Sequence, residues 1–148
     1  LENFKIVKPN ITLKEVKEVC KKAYIDEYIE SLPKKYNTII GEGGINLSGG
    51  QKQRLAIART LLLDTKIILF DEATSALDNE SQEYIKMTID ELSKDHTIII
   101  IAHRLSTIID ADEILVIENG KLLEKGTHEN LLKKSKVYKG LYKNEEKM

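Results

Sequence analysis

Two apolar runs in this chain end in side chains that can do chemistry. Ile67-Ile68-Leu69-Phe70 runs into Asp71 and Glu72, and Thr97 to Ala102 runs into His103. Such runs read as strands of a parallel sheet, and open parallel sheets bind ligands beyond the carboxyl ends of their strands. If the two strands are neighbours, two adjacent carboxylates and an imidazole meet. Asp71 can then hold a divalent cation, Glu72 can polarise or deprotonate a water, and His103 can donate a hydrogen bond to a reacting phosphate. Alone, an Asp-Glu pair after an apolar run is commonly a strand terminus or a helix cap, and a histidine at a strand end is equally ambiguous.

A third element upstream changes the weighting. In Leu47-Ser48-Gly49-Gly50-Gln51 the glycines expose backbone N–H groups in a first helical turn, where donors lack intrahelical partners and the helix dipole favours an anion. The Ser48 hydroxyl either caps the helix or turns outward to a phosphate oxygen. A plain serine-capped surface helix would leave the glycine pair unexplained, because each glycine costs ~1 kcal/mol in a regular helix. Something must approach that backbone closely. A phosphate-binding loop of the form GxxxxGK[ST] occurs nowhere in the 148 residues, so the chain carries half a nucleotide site.

These groups need elements to position them. Thr12 with Glu15 forms a capping box, and Leu13, Val16, Val19, Cys20 and Ala23 then share one helical stripe. Ile25, Tyr28, Ile29 and Leu32 form a short second pattern that stops at Pro33. Asn37 to Asn46 is a loop in which Gly41, Gly43 and Gly44 permit unusual backbone angles. A helix restarts at Gly49, capped by Ser48 with Gln51 in the box position, with Leu55, Ala58 and Leu62 inward and Arg54 and Arg59 on wetter faces. The run at Ile67, apolar on both faces, predicts a central parallel strand covered on both sides. Asp78 caps the next helix, with Ile85, Thr88, Ile89 and Leu92 buried, and Thr97 to Ala102 repeats the strand pattern. Ser106 to Asp110 is a turn or short helix. Asn119-Gly120 joins Glu113–Glu118 to Lys121–Lys125 as a hairpin, since both turn positions favour positive φ. From Thr127 one helix follows, anchored by Leu131, Leu132, Tyr138 and Leu141. The fold class is α/β with a C-terminal antiparallel hairpin.

Composition narrows the function classes. The chain has 41% hydrophobic and 32% charged residues, enough for one core. With 23 basic and 24 acidic residues the net charge is −1, which gives no bulk field for nucleic acid, so any anion site is local. The single cysteine, Cys20, cannot form an internal disulfide and has no metal-ligand companion, which fits a reducing compartment. No apolar run approaches the ~20 residues of a membrane span, and Leu1 to Asn10 is not patterned as a signal peptide. Work at a membrane would therefore go through a partner or further sequence.

The motifs together resemble those of ATP-binding-cassette (ABC) ATPases. Leu47-Ser48-Gly49-Gly50-Gln51-Lys52-Gln53-Arg54 is similar to the family's signature, Ile67 to Glu72 to its Walker B strand and catalytic glutamate, and Ser75-Ala76-Leu77-Asp78 to its D-loop. Ala102-His103-Arg104-Leu105-Ser106-Thr107 resembles the switch-histidine segment of exporters, as do the loop at Glu42 and the closing Gly126-Thr127-His128-Glu129. Order and spacing agree over essentially the whole chain. The resemblance implies the C-terminal portion of an exporter's nucleotide-binding domain: a helical and signature region over 1–62, and a Walker B, D-loop and switch-histidine region over 63–148.

It implies ATP and Mg²⁺ as cofactors and a head-to-tail dimer with a second ABC ATPase domain. In that dimer Ser48, Gly49, Gly50 and Gln51 close over ATP held by the other domain, with Asp78 acting across the interface. Asp71 is the Mg²⁺ residue, Glu72 the general base and His103 the γ-phosphate contact. Gly41-Glu42-Gly43-Gly44 is implied to face the coupling helices of transmembrane domains, which would hold the ATPase at the cytoplasmic face of the cell membrane. Many exporters carry arginine where this chain has Gly43, which bears on coupling rather than hydrolysis.

The resemblance further implies that an N-terminal portion with the Walker A loop is missing, and that its strand belongs between the strand at Ile98–Ile101 and that at Ile114–Ile117. The fragment alone is then expected to be inactive, and to rearrange those two strands, borrow cover from a neighbour or pair with a fragment in another chain. Two other accounts compete with an exporter engine. One is a non-catalytic fragment docking on a transmembrane partner, which gives no reason for Glu72 and His103. The other is part of a soluble ABC-superfamily ATPase, which neutral charge disfavours where nucleic acid is the partner.

Overall fold

The computed structural model describes residues 1–63, 65–71, 77–102 and 104–145. Seven helices occur among them: α1 (Glu2–Lys5), α2 (Leu13–Lys22), α3 (Asp26–Ser31), α4 (Gly49–Leu61), α5 (Asn79–Leu92), α6 (His128–Lys134) and α7 (Lys136–Glu145). The four strands are β1 (Ile67–Asp71), β2 (Thr97–Ile101), β3 (Ile114–Glu118) and β4 (Lys121–Gly126). The α/β class and the hairpin follow the sequence pattern.

Local chemistry sets the helix ends. Thr12 and Ser48 both make the reciprocal box: Thr12 with Glu15 on α2, Ser48 with Gln51 on α4. Val16, Cys20 and Ala23 fill the buried stripe of α2, whereas Leu13 at its first turn is exposed. The single C-terminal helix expected after Thr127 is instead two, because Ser135 is extended (ψ 120°) and its Oγ accepts the Tyr138 N–H at 3.0 Å, capping α7. Leu131 and Tyr138 are buried as anchors, while Leu141 is exposed. At the hairpin turn both Asn119 (φ 51°) and Gly120 (φ 74°) are left-handed, as the dipeptide predicts.

The strands form two separate sheets among the described residues: β1 with β2, parallel, and β3 with β4, antiparallel. The core divides with them. One cluster runs from Phe4 to Leu92 and includes Val16, Ile57, Ala58, Ile68, Phe70, Ile85 and Ile89. The other joins Ile114, Val116, Leu131 and Tyr138. The single core anticipated from length is thus two clusters, split where the sheet is split.

β1 corrects a second expectation. Its burial alternates: Ile68 and Phe70 face the helices, while Ile67 and Leu69 are 60% and 59% exposed. On β2, Ile99 and Ile101 are each 49% exposed on the same side. The apolar composition is that of a doubly covered strand, and the described residues cover one face only.

Candidate functional site

α4 carries the signature residues. The Ser48 Oγ accepts from the Gln51 backbone N–H at 3.2 Å, and Gln51 Oε1 accepts from the Ser48 N–H at 2.9 Å. Of the two roles open to Ser48, the structure shows the cap; an accepting hydroxyl still has a proton to donate. Gln51 is engaged in the same box, so its side chain is held at the helix entrance.

The two glycines have different surroundings. A Cβ on Gly50 would lie 2.2 Å from Ser81 Oγ and 2.5 Å from Ser81 Cβ, so the close approach inferred from sequence is made at Gly50 by α5 itself. At Gly49 a Cβ would meet only Leu77 Cδ2, at 3.5 Å, an ordinary contact. Gly50 is buried and Gly49 exposed. Gly49 is therefore the glycine whose backbone faces outward at the dipole's positive end.

Arg54 departs from its predicted wet face. It is 8% exposed, donates from Nη1 to the Tyr24 carbonyl at 2.8 Å and from Nε to the Gly50 carbonyl at 3.4 Å, and stacks over the Tyr84 ring at 4.4 Å. Burial lowers its pKa, yet a guanidinium stays charged in this setting. Residue type alone argued for water; the carbonyl of Tyr24, a left-handed residue (φ 51°) just after α2, supplies the buried partner.

Asp78 caps α5, its Oδ1 accepting the Ser81 N–H at 2.7 Å. That backbone hydrogen bond, followed by one from the Ser81 side chain, lowers the Asp78 pKa. Asp78 and the start of α4 are brought together, since Leu77 touches Gly49 and Ser81 touches Gly50.

Asp71 ends β1 on the exposed face, in register with Ile101 at the end of β2. The condition set in the sequence reading, that the two strands be neighbours, is met. Glu72 follows Asp71 in sequence and His103 lies two residues past Ile101; both, with Ser75 and Ala76, lie outside the described residues. A carboxylate is a hard oxygen donor of the type Mg²⁺ takes, and Asp71 offers it to solvent at a strand end.

The loop before the signature folds back on itself. Ile45 donates to Ile39 O at 3.0 Å and Gly41 to Ile45 O at 3.2 Å. Gly41 and Gly43 have φ of 94° and 78°, and a Cβ on Gly44 would strike Ile39 O at 2.1 Å. Beside this loop lies a small apolar pocket of about 40 Å³, lined by Phe4, Tyr28, Ile29, Leu32, Ile40 and Leu47 among others. Sequence patterning gave no sign of it, because its lining comes from four separate segments.

A family model described as ABC transporter matches residues 1–75. An ATP-dependent lipid A-core flippase of Haemophilus influenzae (strain 86-028NP) is 56% identical over 128 residues, covering 86% of this chain and 22% of the flippase. ATP-binding cassette sub-family B member 5 of Mus musculus is 53% identical over 128 residues, covering 86% of this chain and 10% of that protein. A bacterial Atm1-family ABC exporter solved with ATP bound superposes with a TM-score of 0.84 at 44% identity, over 96% of this chain and 25% of the exporter. The chain thus spans a quarter or less of each of these proteins.

Proposed function

The chain belongs to the ABC transporter family, and on that premise we propose that it is the C-terminal portion of an exporter ATPase domain that hydrolyses ATP at a head-to-tail dimer interface. The observation that carries the reading is the register of β1 on β2, which ends with Asp71 beside Ile101 and so sets the sequence positions of Glu72 and His103 after adjacent strand ends. Two neighbouring strands with a purely structural role need not be followed in sequence by a metal-type carboxylate, a base and a phosphate donor.

In this mechanism Glu72 takes the proton of the attacking water, and His103 donates a hydrogen bond to the γ-phosphate. Asp71 would hold Mg²⁺, which would supply neutralisation of charge on the phosphate oxygens. Ser48, Gly49, Gly50 and Gln51 present the positive end of α4 to the ATP of the opposite domain, Gly49 with its outward backbone foremost. Asp78 lies beside that helix start and acts across the same interface. Residues 1–62 form the helical and signature region, and 63–148 the Walker B, D-loop and switch region.

The separation of β1–β2 from β3–β4 supports a further part of the reading, namely that a portion bearing the phosphate-binding loop supplies a strand between β2 and β3, and the bare face of Ile67, Leu69, Ile99 and Ile101 is the surface that the rest of that portion would cover. Among the described residues no helix is long and apolar enough to cross a membrane. The transmembrane domains are separate segments in this reading, with their coupling helices near Gly41-Glu42-Gly43-Gly44 at the cytoplasmic face.

The test is ATP turnover of the complete transporter and its Glu72→Gln variant. Loss of at least ~100-fold is expected for removal of a general base; unchanged turnover rejects the assignment. The chain alone should not turn over ATP, and mixing with the portion that carries the phosphate-binding loop should restore activity.

A further inference from the structure

α5 is held on two sides. Its Ser81 and Tyr84 contact the signature helix through Gly50 and Arg54. On another side of the same turns, Gln82 and Lys86 reach the segment after the switch histidine: Arg104 Nη1 donates to Gln82 Oε1 at 2.8 Å, and Lys86 pairs with Asp110 at 2.6 Å. Gln82 has a second partner, because its Nε2 donates to the Leu77 carbonyl at 2.7 Å. A guanidinium only donates and a carbonyl only accepts, so the two bonds fix the amide in one orientation and use both its ends.

We propose that Gln82 is a positioning residue for ATP hydrolysis, tying the segment that carries His103 to the segment that carries Asp78. Arg104 is the residue directly after His103, and Leu77 directly precedes Asp78. One side chain thus links the residue after His103 to the residue before Asp78. The Lys86–Asp110 pair beside it is exposed and weak by comparison. This inference rests on the hydrolysis reading above. Its role is positional: Gln82 acts by joining the Leu77 backbone to the Arg104 side chain rather than by touching ATP or the attacking water.

The experiment measures kcat and KM for ATP in the complete transporter carrying Gln82→Met, which keeps side-chain length and helix propensity but removes both hydrogen bonds. A fall in kcat between about 10-fold and 100-fold is expected, the order that a small misplacement of reacting groups produces. KM should stay within about 2-fold, since ground-state binding is untouched. Turnover within about 2-fold of the parent overturns the proposal, as does a rise in KM that accounts for the whole loss. Thermal unfolding separates a folding defect from a catalytic one. If Gln82→Met fails to fold, Gln82→Glu decides: it keeps an acceptor for Arg104 but sets a carboxylate oxygen against the Leu77 carbonyl. Reduced kcat at constant KM supports the tie, and full turnover overturns it by leaving the Leu77 arm without a role. Glu72→Gln, run in parallel, keeps the two claims apart. Loss there with a silent Gln82→Met sinks the tie alone; no loss there sinks the hydrolysis reading itself.

Discussion

Gly50→Ala is the substitution whose effect the geometry defines most narrowly. A new Cβ would stand 2.5 Å from Ser81 Cβ, a separation that real Cβ atoms essentially never show, where ordinary contact begins at 3.4 Å. Ser81 is buried and its Cβ cannot rotate away, so α4 and α5 must part by about 1 Å. Overpacking of this kind costs about 1–3 kcal/mol, and the helix-propensity gain of alanine over glycine offsets up to ~1 kcal/mol of it. The net expectation is a loss of about 1–2 kcal/mol in urea unfolding. Ser81→Gly removes both clashing atoms, so the double variant should recover most of the loss and show coupling of about 1 kcal/mol or more. Gly49→Ala, meeting only Leu77 at 3.5 Å, should unfold at the same urea concentration as the parent or higher. A Gly50→Ala protein as stable as the parent, or a double variant no better than the sum of its parts, would refute the steric argument.

Glu15 is held well below the usual carboxylate range, at about 2, first by its hydrogen bond with Lys8 and then by the Thr12 backbone and hydroxyl. A depressed folded-state pKa means stability that is fully present above the unfolded value of 4.5 and is lost as pH falls towards 2. Glu15→Gln should therefore flatten the acid limb of the stability curve between those values, as followed by circular dichroism. Gly120→Ala forces a Cβ into a left-handed turn position and should cost about 1–2 kcal/mol, seen as a lower urea midpoint. Leu69→Lys, on the bare face of β1, should change the stability of the isolated chain by no more than about 0.5 kcal/mol. The same change should weaken association with the phosphate-loop portion by about 10-fold or more, measured by titration calorimetry, because the lysine would then be buried.

Much of this was legible in the sequence because it is encoded locally. Capping boxes at Thr12 and Ser48, the Asn119-Gly120 turn and the order of β1, α5 and β2 each depend on residues a few positions apart. The apolar runs gave the two strands, and the pairing that sets Asp71 beside Ile101 is supplied by the fold. What sequence missed depends on partners distant in the chain. Arg54 was expected in water because nothing nearby in sequence announces the Tyr24 carbonyl that receives it. Gly50 was expected to make room for a ligand, and in the fold it makes room for Ser81, 31 positions later. The bare face of β1 was misjudged for the opposite reason: its residues are suited to two covers, and composition cannot say where the second comes from. The break at Ser135 was within reach, since a serine three residues before Tyr138 is a cap signal that the helical periodicity overshadowed.

The split sheet also governs how the chain meets copies of itself. A two-stranded parallel sheet has an outer ladder of N–H and C=O groups on each side, and natural edges are guarded by lysine, proline, bulges or charge turned inward. The hairpin has such guards in Lys121, Glu124, Lys125 and the bulge between Val116 and Ile117. Thr97-Ile98-Ile99-Ile100-Ile101 has neither charge nor proline, and it is rich in β-branched residues. Self-association of the isolated chain should therefore nucleate at β2, growing by strand addition, while the hairpin stays monomeric. The strand that would fill the gap in the sheet would then act as an intramolecular guard, protecting the nascent domain from its own most adhesive segment.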